Sequence, residues 1–224
     1  MRIMKKLKYY LSYLYPLSVE ITESKCNPFL EIVMFDGKYS LNSRNTNYSF
    51  GTLYTLFSKI FRMLDPDWSK IHEALILGFG TGSIAELIGK YNPGCIIDGV
   101  EIDEKVIELG RKYFNTTSLR NVNIHCMPAD IYMNDCQRKY DLIIIDVFID
   151  MIVPPELETE DFLVRVRNCM KPDGIVIFNK VTYTKAISDQ IPSLGKLYKK
   201  IFGNLEIVTL MRSGKIFIAR YLPS

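Results

Sequence analysis

The stretch Ala74-Leu75-Ile76-Leu77-Gly78-Phe79-Gly80-Thr81-Gly82 runs from a continuous apolar segment into alternating glycines. Four consecutive apolar residues bounded by glycine suit a strand buried on both faces of a parallel sheet. The glycines then lead into Ser83 to Lys90, which reads as a helix. Together these make a glycine-rich turn from strand to helix. Glycine lets the backbone approach a ligand closely, and a helix N-terminus presents free amides. By itself the turn is a weak signal. Its G-x-G-x-G spacing differs from the G-x-G-x-x-G of dinucleotide binders, although Ser83 leaves a degenerate match open.

Downstream, strand and helix patterns alternate. Strands are predicted over residues 95–100, 122–126, 142–147 and 175–178, and helices over 104–114, 132–138, 159–170 and 186–201, the last kinked at Pro192. Residues 171–174 read as a turn, and 205–211 with 215–221 as a closing hairpin. Repeated strand–helix units imply a parallel sheet covered by helices on both faces. The expected fold class is therefore α/β, with a seven-strand, mostly parallel Rossmann-like sheet and one reversed strand at its edge. Upstream, residues 18–24 and 29–35 read as strands. Asp36-Gly37 is a hairpin signal, and residues 38–41 form the returning strand. Apolar residues at helical spacing over residues 48–64 predict a helix that Asp65-Pro66 ends. This divides the chain into a small β-hairpin and helix extension, residues 1–70, and a sheet domain, residues 71–224.

Composition excludes several classes. The chain has 224 residues, 48% hydrophobic and 24% charged, enough to bury a sizeable core. No window reaches the roughly 18 apolar residues of a spanning helix. A net charge of +3 does not point to nucleic acid. The cations Arg2, Lys5, Lys6 and Lys8 gather at the start, but the Tyr-rich run after them lacks the features of a secretory signal. Five scattered cysteines without a CxxC pair argue against a disulfide framework or a zinc site. They fit a reducing cytoplasm. Neither His72 nor His125 has a partner at metal-ligand spacing, so no metal is expected.

Three acids follow predicted strands. Glu101 lies 19 residues after Gly82, where a ribose hydroxyl pair is held in such sheets. Asp130 is placed either to accept from an adenine amino group or to cap the helix after it. Asp146 follows four aliphatic residues, where an unpaired carboxylate is expensive. All fall at carboxyl ends of strands, where open α/β sheets bind ligands. An adenosine-containing cofactor is the expectation.

Residues 75–82 also resemble motif I of the class I S-adenosylmethionine-dependent methyltransferases. More narrowly, the chain resembles the spermidine synthases and spermidine synthase-like proteins. Gly99-Val100-Glu101-Ile102-Asp103-Glu104-Lys105-Val106-Ile107 is similar to the family's "VEID..VI" stretch, and Tyr140 to Asp146 to its "YDVIIVD" strand. Val153-Pro154-Pro155-Glu156-Leu157 resembles the segment after that strand. The resemblance implies S-adenosylmethionine, or its decarboxylated form, held by Gly78, Phe79, Gly80, Thr81, Gly82, Glu101, Ile102, Ala129, Asp130 and Asp146. It implies that Asp146 takes the proton of an attacking amine, that Tyr48 and Asp150 lie on the acceptor side, and that the chain is a homodimer acting on a small molecule. Some family positions differ. Thr81 replaces an acid in the glycine turn, Ile149 replaces a second Asp, and Ser40 replaces a Gln after the hairpin turn. Tyr48-Ser49-Phe50 replaces Tyr-His-Glu. These are groups that hold a polyamine. The expectation from the sequence thus places methyl transfer ahead of aminopropyl transfer. A nicotinamide oxidoreductase and a family member without catalysis are the other readings.

Overall fold

The structure, a computed structural model, describes residues 2–44, 47–148, 152–182, 184–211 and 214–221. Helix α1 (Arg2–Leu11) is an addition to the predicted elements. Strands β1 (Leu17–Thr22), β2 (Leu30–Phe35), β3 (Lys38–Ser43) and β4 (Asn47–Ser49) then form an antiparallel sheet in chain order. Asp36 and Gly37 close the predicted hairpin with φ 51° and 69°. Two positive dihedrals match the right-handed twist of the flanking strands. The turn rests on buried Ser12, whose carbonyl and hydroxyl oxygens accept from the amides of Asp36 and Gly37 at 2.9 and 3.0 Å.

The helix predicted from Tyr48 begins later, at Thr52. Tyr48 and Ser49 instead pair with β3 in β4, with Leu41 opposite Ser49. Phe50 and Gly51, at φ 62° and 57°, then turn the chain into α2 (Thr52–Leu64). The apolar periodicity that defines this helix starts only at Leu53, so sheet pairing prevails over the residues before it.

The larger sheet is built from β5 (Glu73–Leu77), α3 (Ser83–Tyr91), β6 (Ile96–Glu101), α4 (Glu104–Tyr113), β7 (Val122–Cys126), α5 (Ala129–Asp135) and β8 (Tyr140–Ile145). It continues through α6 (Glu160–Asn168), β9 (Met170–Val181), α7 (Lys185–Asp189), α8 (Ile191–Phe202), β10 (Glu206–Met211) and β11 (Gly214–Arg220). The strand order is β10-β11-β9-β8-β5-β6-β7, seven strands with β11 alone reversed. The reversed strand is one place in from the edge, not at it. β11 lies between β9 and β10, and its Ile216–Ala219 run is buried. The predicted turn at 171–174 is absorbed into β9, with Asp173 at φ 62° and a register shift opposite Tyr140–Leu142. The predicted 186–201 helix is two helices, α7 and α8, meeting at Gln190 just before Pro192. α5 starts at Ala129 rather than at 132, so Asp130 sits in its first turn.

Core residues cover both faces of the large sheet. A third cluster joins Leu30, Ile32 and Leu41 of the small sheet to Val106 and Leu109 of α4. Asp103, which caps α4, also accepts from Asn27 Nδ2 at 2.7 Å. The small sheet is therefore fastened beside the carboxyl end of β6. At the centre, β5 lies between β6 and β8, because the chain runs out through β6 and β7 and returns on the other side. Such a reversal opens a crevice at the strand ends.

Candidate functional site

The glycine turn after β5 is shaped by its contacts. Gly78 has φ 87°, and a Cβ there would lie 2.2 Å from the carbonyl oxygen of Asp146. Only glycine lets the two central strand ends approach this closely. Every amide of the turn has a partner. Gly78 and Phe79 donate to Val100 O at 2.9 Å, Gly80 to Glu101 Oε2 at 2.8 Å, Thr81 to Ser49 Oγ at 3.2 Å, and Gly82 to Phe79 O at 3.1 Å. The amides of the turn itself are thus engaged within the protein.

Glu101 closes β6. Its carboxylate accepts from Gly80 N and, through Oε1, from Asp103 N at 3.1 Å. Burial pushes its pKa up to about 7 against the pull of those amides. Each oxygen has a further lone pair, the requirement for gripping a vicinal diol.

Asp146 follows β8, also buried. Asn179 Nδ2, from β9, donates to its Oδ1 at 2.8 Å. Burial raises the Asp146 carboxyl to about 7, with the Asn179 donor opposing. Asn179 is 3% exposed and lines the same cleft, and its own Oδ1 has no partner among the described residues. A buried carboxamide oxygen left open beside a carboxylate suits an N–H donor from a bound molecule.

One cleft gathers Gly78, Gly80, Glu101, Ile102, Ala129, Asp130, Asp146 and Tyr48. The other expected cofactor residues stand behind it. Phe79 is buried with its ring against Gly99 and Gly82. Thr81 is fully buried, its hydroxyl unpartnered among the described residues. Gly82 abuts Thr116. Asp150 lies outside the described residues. Tyr48 is half-buried, and burial with the nearby Glu101 charge holds its phenol well above the usual range. The sequence reading assigned no site role to Asn179, Ser49 and Asn27, or to the apolar walls Met127 and Leu157. Leu157 and Glu156 reach the cleft on a 3-10 turn, Pro155–Glu158, which buried Lys180 anchors by pairing with Glu158.

Among the described residues, the charged ones lining the cleft are Glu101, Asp130, Asp146 and Glu156, all carboxylates. The site therefore favours a cation. The diol-ready Glu101, the apolar walls at Ile102, Met127 and Leu157, and the open Asn179 oxygen fit an adenosyl sulfonium better than a phosphate-bearing ligand.

Known proteins resemble this chain in sequence and in fold. A probable polyamine aminopropyl transferase of Bifidobacterium longum is 30% identical over 145 residues, covering 62% of this chain and 30% of its own. A Xenopus laevis protein named eEF1A lysine and N-terminal methyltransferase is 30% identical over 117 residues, covering 48% of this chain and 17% of its own. The chain thus spans less than half the length of these two curated relatives. In fold, the spermidine synthase of Thermotoga maritima superposes with a TM-score of 0.67 at 18% identity, covering 91% of this chain and 72% of the other. Residues 60–213 match the spermine/spermidine synthase domain, well over half of the chain, and this protein belongs to that family.

Proposed function

We propose that this protein transfers an aminopropyl group from decarboxylated S-adenosylmethionine to a small amine, with Asp146 as the base. The observation that carries the reading is the buried Asp146–Asn179 pair in a cleft whose charged lining residues, among those described, are all carboxylates. Relatives named as polyamine aminopropyltransferases support it over the methyl transfer expected from the sequence. In this reading Glu101 holds the ribose diol, Asp130 faces the adenine amino group, and Gly78 and Gly80 admit the methionine-derived chain. When bound, the cofactor supplies an electrophilic carbon beside a sulfonium leaving group. Asp146, as carboxylate, accepts a proton from the acceptor ammonium and frees its lone pair. Asn179 Oδ1 accepts a second N–H and orients the nucleophile. A homodimer and a cytoplasmic setting belong to the same proposal. Among the described residues, no helix is long and apolar enough to cross a membrane.

Methyl transfer is the second reading. Thr81, buried and uncharged, stands where the resembled family carries an acid, so a partner for the aminopropyl ammonium is missing there. Calorimetry with S-adenosylmethionine, its decarboxylated form and methylthioadenosine separates the two. Tighter binding of the decarboxylated form, with diamine-dependent release of methylthioadenosine, is expected. Selective binding of S-adenosylmethionine would favour methyl transfer. Failure of all three to bind would overturn both readings.

A further inference from the structure

Helix α1 turns its apolar side outward. At 3.6 residues per turn, Leu7, Tyr10, Leu11 and Leu14 share one arc, continued past α1 by the turn at Leu14, and Lys6 and Lys8 flank that arc on either side. Leu7, Tyr10 and Leu14 are 57%, 68% and 76% exposed. An amphipathic helix that belongs only to its own fold buries this arc. Here the opposite side does the holding. Ser12 is buried under the hairpin turn, and the rings of Tyr9 and Tyr13 lie over Gly37. The contacts that fix α1 thus present its apolar arc to whatever lies beyond the molecule.

Charge narrows the occupant. Residues 1–19 include Arg2, Lys5, Lys6 and Lys8 and no acid, the first being Glu20. A second copy of α1 seated on this arc would set cations against cations. An anionic surface would pair with the flanking lysines while leucines and a tyrosine enter an apolar boundary, their natural arrangement at a lipid headgroup layer. Ten residues are too few to span a bilayer, so the helix would lie in its plane. We propose that α1 is an interfacial anchor that seats this protein on an anionic lipid surface.

Sedimentation of the full chain with phosphatidylcholine vesicles, with and without phosphatidylglycerol, tests this. Pelleting that requires phosphatidylglycerol and weakens several-fold at about 0.5 M salt is expected, since salt screens exposed charges. Lys6→Glu with Lys8→Glu should abolish pelleting, whereas Lys6→Arg with Lys8→Arg should keep it. Leu7→Gln with Leu14→Gln should weaken it at least about ten-fold by removing the inserted apolar area. All four positions are exposed, so an unchanged melting temperature shows that the variants remain folded. Equal pelleting on pure phosphatidylcholine, or none on either vesicle, would overturn the proposal. So would a salt-resistant dimer in solution that Leu14→Gln dissolves, since α1 would then be covered by a second copy.

Discussion

Asp146 serves the proposed chemistry only when ionised, and its surroundings decide when that is. With a carboxyl raised to about 7, the rate under limiting substrate should climb with pH through a midpoint near 7 and level off above it. Asn179 donates to the carboxylate and so holds that midpoint down. Asn179→Leu removes the donor, and the midpoint should move to higher pH, measured as initial rate against pH. Asp146→Asn should lower turnover by about 10²–10⁴-fold, the usual contribution of a positioned base, with cofactor affinity by calorimetry changed far less. An unshifted profile in Asn179→Leu would remove Asn179 from its positioning role. The two residues also show how far the site was legible. Asp146 follows Leu142–Ile145, and Asn179 follows Ile175–Phe178, each a polar residue closing four apolar ones on neighbouring strands. The pattern that exposed Asp146 was equally present at Asn179. Ser49 gave no such signal, because its role depends on a strand from the small sheet meeting Thr81 N, 32 residues away in the chain.

At the scale of elements, the glycine turn after β5 is where strand geometry and site geometry meet. Gly78→Ala would place a Cβ 2.2 Å from the Asp146 carbonyl at φ 87°. Because the obstacle is backbone at the end of a central strand, either β5 or β8 must shift. A loss of at least about 2 kcal/mol is expected in urea unfolding, from strain at a positive φ together with the clash. Gly89→Ala is the contrasting case. It lies within α3 with nothing within 4 Å of its would-be Cβ, so it should gain up to about 1 kcal/mol. If the two variants unfolded alike, the close approach at Gly78 would not be what makes glycine necessary. The elements themselves were mostly readable, because long apolar runs fix the buried parallel strands. The errors fell where pairing overrides local pattern. Tyr48 and Ser49 joined β3, and β9 took in its bulge at Asp173. The place of the reversed strand also carried a signal, since β11 has the continuous run Ile216–Ala219, which suits an interior strand, whereas β10 mixes Glu206 and Thr209 among its apolar residues as an edge strand does.

For the whole molecule, the two buried acids of the cleft make an opposed pair of demands on stability and function. Glu101 and Asp146 both have folded-state values near 7, above the usual carboxylate range of an unfolded chain. Between about pH 4 and pH 7 the folded protein therefore binds protons that the unfolded chain has released. Stability contributed by these groups is complete below the unfolded values and is lost as pH rises through about 7. The ligand-free protein should thus melt at higher temperature at pH 5.5 than at pH 8, with each acid accounting for something on the order of 2–4 kcal/mol across the window. Glu20 and Glu73, both lowered by cationic partners, work in the other direction but act only as pH falls through the ordinary carboxylate range, below this window. Asp146→Asn and Glu101→Gln should each flatten the slope between pH 5.5 and 8, and the double variant should remove most of it, read as melting temperature against pH. A cationic sulfonium ligand favours the ionised acids. Saturating decarboxylated S-adenosylmethionine should then raise the melting temperature more at pH 8 than at pH 5.5, offsetting the slope seen without ligand. A ligand-induced shift that is the same at both pH values would mean that neither buried carboxylate faces the bound cation.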